Sequence, residues 1–280
     1  MKVSDVMTKK PIKAEVPCSR SNVLKLLVQH NITGVPVVKE GTRSYVGFVS
    51  RQDIFAKPDI EQLALIVDKK HPFVTSKDNV RKAAKQLVDK DLHHLPVVDN
   101  KKLVGIVTPT DLLVIVEKEK YKESVETLVR KQCIPVYEGT PITVLAAIIK
   151  ITNAYAFPVL DEESKLSGII TDRDIFNLSV IDGSTAIADL GSGEDEDVWT
   201  WEGMRNIMKL YYEVSQITLP NIPVREIMVK EPITVFRKTT ISEAARIMRR
   251  NDFGQLPIRD TDDRLLSMVD ELDVISVLLK

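Results

Sequence analysis

The sequence predicts an α/β (α+β) fold made of four copies of a small β-α-β-β-α unit. Three observations carry this. A proline-centred apolar run, a second β-branched run and a downstream aspartate recur four times in register. Turn residues part the two runs of each copy, and a stretch of helical period precedes them. The chain has 280 residues, 44% of them hydrophobic, which suits several small packed units.

The first copy reads Ile32 to Val38, then Val46 to Ser50, then Asp53-Ile54. The second reads His93 to Val98, then Leu103 to Thr108, then Asp111-Leu112. The third reads Ala156 to Leu160, then Leu166 to Thr171, then Asp174-Ile175. The fourth reads Gln255 to Ile258, then Leu265 to Asp270, then Asp273-Val274. The spacing from Pro36, Pro96, Pro158 and Pro257 to the closing aspartate is 17, 15, 16 and 16 residues. Such self-similarity marks a repeat architecture.

Upstream of each core pattern, a short apolar stretch ends near Met7, Val67, Leu128 or Met228. A proline-marked β segment follows at Pro11-Ile12, Pro72 to Val74, Ile134 to Val136 and Pro232 to Val235. An amphipathic helix comes next, with apolar residues at Val23, Leu26 and Leu27, at Val80, Ala83, Ala84 and Leu87, and at Ile241, Ala244, Ala245 and Met248. Ser19, Ser76 and Thr239 or Thr240 are the expected N-caps, and Glu243 is placed to complete a capping box with Thr240. Turns at Glu40-Gly41, Asp99-Asn100, Asp161-Glu162 and Asp260 to Asp263 make a hairpin of the two strands. The aspartate then opens the last helix.

The expected units span 1–58, 62–118, 124–178 and 222–280, with an insertion at 179–221. A unit of this size buries too little core alone, so units are expected to pair, 1 with 2 and 3 with 4. The charged run Glu117 to Ser124 reads as a solvated helix or linker between pairs. Within the insertion, Gly191 to Asp197 reads as an acidic loop, and Val198 to Ser215 as a helix that packs over the second pair, docks a partner or covers a cleft.

A net charge of −1 argues against a nucleic-acid partner. No uncharged apolar window of membrane length and no signal-peptide pattern occurs, so a cytoplasmic protein without membrane association is expected. Cys18 and Cys133 are far apart and outside any CxxC spacing, so free thiols are expected and no metal site. Hydrolase, Walker A, dinucleotide and zinc-protease motifs are absent, so no enzyme is expected. Asp270 and Asp273 are the one candidate pair for a hydrolase.

The repeated PVV…GIVT…D pattern resembles the CBS domain, over nearly the whole chain apart from about residues 178–221. The resemblance implies two Bateman modules of two units each, with pseudo-two-fold symmetry and ligand clefts between units. It is similar to stand-alone prokaryotic regulators with four units and to the gamma subunit of AMP-activated protein kinase. By that resemblance the ligands are AMP, ADP or ATP, with S-adenosylmethionine as the alternative. No other cofactor is expected. A protein partner that reads the bound state and pairing into a homodimer are implied in the same way.

The chemistry of the pattern agrees. A Ser or Thr ending a strand, three residues before an Asp in a helix's first turn, gathers a hydroxyl, backbone N–H groups and a carboxylate. Helix N-termini favour anions. The carboxylate only accepts, so it suits both hydroxyls of a ribose. Ribose contacts are therefore expected from Asp111, Asp174 and Asp53, and least from Asp273. Phosphate contacts are expected from Thr108, Thr110, Thr171, Arg173, Ser50 and Arg51. The resemblance adds His93 and His94, where matching positions hold phosphates. Neighbours on an extended strand point to opposite sides, so these two histidines are not expected to chelate one ion. Ile106, Ile169 and Phe48 would lie against adenine. The fourth unit departs: Asp270, Glu271 and Asp273 put three carboxylates where phosphate would bind, so an empty cleft or an uncharged or cationic ligand is expected there.

Overall fold

The computed structural model describes residues 1–57, 60–129, 132–152, 154–175 and 219–280. The expected acidic loop and the helix from Val198 to Ser215 lie outside the described residues.

The first unit contains β1 (Thr8–Lys9), β2 (Ala14–Val16), α1 (Arg20–Gln29), β3 (Gly34–Lys39), β4 (Tyr45–Ser50) and α2 (Arg51–Ala56). The second contains α3 (Leu63–Ile66), α4 (Val80–Asp89), β5 (Leu95–Asp99), β6 (Lys102–Val107) and α5 (Pro109–Glu119). The third contains β7 (Val136–Tyr137), α6 (Ile142–Thr152), β8 (Ala156–Leu160) and β9 (Leu166–Thr171). The fourth contains β10 (Val229–Lys230), β11 (Val235–Phe236), α7 (Ile241–Asn251), β12 (Gln255–Arg259), β13 (Leu265–Asp270) and α8 (Glu271–Ile275). In every unit the hairpin is antiparallel, and its proline faces a residue of the second strand: Pro36 pairs with Phe48, Pro96 with Ile106, Pro158 with Ile169 and Pro257 with Met268. The strand before the long helix of each unit pairs parallel to the hairpin: β2 with β3, β7 with β8, β11 with β12, and in the second unit a single bridge, Val74 to Val97. The β segment expected at Pro11-Ile12 therefore begins later, at Ala14.

Ser19 and Thr240 cap their helices, accepting from Asn22 N–H and Glu243 N–H. Two cap expectations need correction. Asn79, not Ser76, caps α4, while Ser76 N–H donates to Asp99. Glu243 pairs with Arg246, so the capping box at Thr240 is half made. Helix α5 also runs on through Glu119 and shortens the expected linker.

The pairing of units rests on exchanged leader strands. Strand β1 leaves the first unit and pairs with β6 of the second, Thr8 opposite Ile106. Asp68, leading into the second unit, bridges back to Phe48 of the first. In the other pair β10 joins β9, Val229 opposite Ile169. The close approach needs a glycine on the receiving strand. A Cβ on Gly47 would lie 2.5 Å from the Asp68 carbonyl oxygen, and one on Gly168 would lie 2.9 Å from that of Val229.

The two pairs meet unequally. The first and third units each keep a core of their own, whereas the second and fourth share one. The physical reason is helix α5, buried at Pro109, Leu112, Leu113, Ile115 and Val116 and so apolar beyond one face. It packs against α7 and α8, with Ser242 Oγ donating to the Val116 carbonyl at 2.8 Å and Arg249 meeting Glu117 at 2.7 Å.

Candidate functional site

Residues of all four units line one central cavity of about 900 Å³, large enough for ligands of nucleotide size. The junctions between the second hairpin strand and the following helix open onto it. At each of three junctions the hydroxyl and the carboxylate clasp one another. Thr108 N–H and Oγ1–H donate to Asp111 Oδ2 at 2.8 and 3.0 Å. Thr171 makes the same bonds to Asp174, both at 2.7 Å, and Ser50 to Asp53 at 2.8 and 2.6 Å. Each clasp spends Oδ2. The Oδ1 of Asp111 receives only a long 3.5 Å contact from Thr8 Oγ1. Burial raises the Asp111 pKa, against the opposing pull of its Thr108 hydrogen bonds. The Oδ1 therefore keeps room for further donors. Ser50, Thr108 and Thr171 are first of all capping residues, with their hydroxyl protons on the neighbouring carboxylate.

Ile106, Ile169, Asp53, Asp111 and Asp174 all line the cavity, as do Thr110, Arg51 and Arg173. Arg51 is buried and bonds Asp172 at 3.2 Å, which ties the first unit to the third. Burial raises the Asp172 pKa against the lowering effect of Arg51 and Arg173. Thr110 donates to Glu271 at 3.2 Å, which ties the second unit to the fourth.

The two histidines diverge. His93 Nδ1 bonds Glu271 Oε1 at 3.0 Å, and its ring meets Tyr155 edge-on at 4.8 Å. Burial works against its charged form, yet Glu271 outweighs burial and the pKa of His93 is raised. His94 turns to the first unit, where its Nε2 bonds Thr33 Oγ1 at 2.7 Å. Burial, with His93, His71 and Arg51 nearby, pushes its pKa down to about 3. The expectation that His94 offers positive charge to a phosphate is thus corrected: its ring is neutral and held by Thr33.

Phe48 also departs from expectation. Its ring is 2% exposed, with His71 stacked on it at 4.4 Å and His94 tilted against it at 5.2 Å. The surface expected to receive adenine is covered by imidazole. In the fourth unit, Asp270 caps α8 through Asp273 N–H, and Asp273 is buried away from the cavity lining. Glu271 crosses to the second unit. The expected cluster of three carboxylates facing one ligand is therefore not formed.

The cavity also takes residues that the repeat pattern omits: Thr8, Lys10, His71, Glu231 and Asp252. Several belong to the exchanged leaders. Thr8, Asp68 and Val229 each lie six residues before the unit's first strand pair, at Ala14, Val74 and Val235. Aligning those leaders would have found them.

The CBS domain model matches residues 3–58, 63–118, 125–180 and 224–280. The chain belongs to the CBS-domain family. The crystal structure of protein MJ1225 from Methanocaldococcus jannaschii has the same fold, with a TM-score of 0.79 over 99% of both chains at 20% identity. The chloroplastic CBS domain-containing protein CBSX1 of Arabidopsis thaliana is 26% identical over 156 residues, 55% of this chain and 63% of that protein. The L-aspartate semialdehyde sulfurtransferase of M. jannaschii is 31% identical over 126 residues, 44% of this chain but only 24% of its own length. The chain thus spans less than two thirds of both relatives. Among the described residues no helix is long and apolar enough to cross a membrane.

Proposed function

We propose that this CBS-domain protein is a non-catalytic sensor that binds adenine nucleotides, AMP, ADP or ATP, in the clefts around its central cavity. The carrying observation is the half-buried Asp111 carboxylate, with one oxygen spent on the helix cap and the other left with a single long contact. The two hydroxyls of a ribose supply the donors that this oxygen lacks. Ile106 lies two residues before Thr108 on the same face of the strand, where it offers the base an apolar wall. The cleft at Asp174 and Ile169 repeats the arrangement, with Arg173 available to a phosphate.

The modules meet across the cavity through Arg51–Asp172 and through Glu271 with His93 and Thr110. A ligand that binds one arrangement of the modules better than another shifts their balance, and a protein partner or second copy reads that shift. A second reading, S-adenosylmethionine, is favoured by Glu231 and Asp252 in the lining, which suit a sulfonium or ammonium group. The matched relative with an enzyme name carries most of its length outside the shared segment, so its activity is not transferred.

Titration calorimetry with AMP, ADP, ATP and S-adenosylmethionine tests the proposal. Asp111→Asn keeps an acceptor for the Thr108 cap and removes the charge. It is expected to weaken nucleotide binding by about 2 kcal/mol, roughly 30-fold. Wild-type protein that binds none of the three nucleotides, or that turns ATP over, refutes it.

A further inference from the structure

Three leaders occupy corresponding places against the hairpins. Six residues separate Thr8 from Ala14, Asp68 from Val74 and Val229 from Val235, and each of these six positions is fixed by a strand pair or bridge. The residue halfway along is Pro11 in the first unit's leader and Pro232 in the fourth's, but His71 in the second's. Proline has no side chain long enough to cross the cleft. His71 has, and its ring stacks on Phe48 at 4.4 Å with 20° between the planes.

This imidazole is held in place. Its Nε2 lies 3.1 Å from the His94 carbonyl oxygen, and its Nδ1 lies 3.8 Å from Asp68. The His94 ring closes on Phe48 from a second direction and is anchored to Thr33. The corresponding surfaces, Ile106 and Ile169, stay partly exposed, whereas Phe48 is buried. A flat heteroaromatic ring lying parallel on an apolar surface is the arrangement a purine would adopt there.

We propose that His71 occupies the base position of the first cleft, so that this cleft rejects purines and the first unit serves as a scaffold instead of a ligand site. Asp53 then acts only as the cap partner of Ser50. The inference rests on the nucleotide reading above and adds which cleft stays closed and which residue closes it.

The test is AMP stoichiometry by equilibrium dialysis on full-length wild type and on Asp53→Asn, His71→Pro, His71→Ala and His71→Pro with Asp53→Asn. Proline is the residue at this place in the first and fourth units, and alanine covers the event that proline disturbs the leader. The wild-type and Asp53→Asn proteins are expected to bind the same number of AMP equivalents. Either His71 variant is expected to gain one, and the added Asp53→Asn change to remove that gain. A wild type that loses an equivalent on Asp53→Asn, or folded His71 variants that gain none, overturns the proposal. Loss of binding on Asp111→Asn, measured alongside, separates this failure from failure of the nucleotide reading: a wild type with no AMP bound overturns both.

Discussion

Acidification should unfasten the first unit from the second through His94. The folded protein holds this ring neutral, with its pKa pushed down to about 3 from an ordinary 6.5. In the unfolded chain the ring protonates near 6.5. Between these values the unfolded state binds more protons, so the contribution to stability is complete above about pH 6.5 and is lost as the pH falls towards 3. Each pH unit in that window removes about 1.4 kcal/mol, so roughly 2 kcal/mol is gone at pH 5 and roughly 3 at pH 4. The assay is urea denaturation between pH 7 and pH 4 for wild type and for His94→Gln. Glutamine retains a polar end for Thr33 but does not titrate. Contributions from His71, His93 and the carboxylates occur in both proteins and cancel in the difference. The variant should start less stable at pH 7, and its loss on acidification should be smaller by the amounts above. Parallel pH profiles for the two proteins would refute the assignment of a neutral, half-buried His94.

Glu271→Gln removes the main group that raises His93 and leaves burial opposed only by Asp270 and Asp91, so the His93 pKa should fall, read from imidazole proton shifts by NMR. In wild type this pair contributes stability that is complete below the unfolded pKa and fades as the pH rises through the raised folded value; the variant should lose that alkaline slope in denaturant midpoints. Gly47→Ala puts a Cβ 2.5 Å from the Asp68 carbonyl oxygen, which is backbone and cannot rotate away. It should cost about 1–3 kcal/mol in denaturation, by forcing the second unit's leader off β4.

The sequence by itself determined the units. β-branched apolar runs, helical period upstream and a turn between strands are local patterns, and local patterns select local structure. The hydroxyl–carboxylate pairs Ser50–Asp53, Thr108–Asp111 and Thr171–Asp174 were legible as residues three apart at a helix start, but they were expected to face a ligand, and their clasp on one another is what the structure added. His93 and His94 diverge as expected of neighbours on an extended segment, although both precede β5 at a bend. Only tertiary structure decided where those side chains landed. Glu271 reads in sequence as a third carboxylate beside Asp270 and Asp273, yet it faces away and serves His93 and Thr110 of another unit. Phe48 reads as a ligand surface because its own strand matches those of Ile106 and Ile169, and the ring that covers it comes from residue 71, across the unit boundary. The shared core of the second and fourth units depends on where the apolar sides of α5 meet α7. The physical reason is the same throughout: periodicity fixes which face of an element a residue lies on, while the identity of what packs against that face depends on chain segments tens to hundreds of residues away.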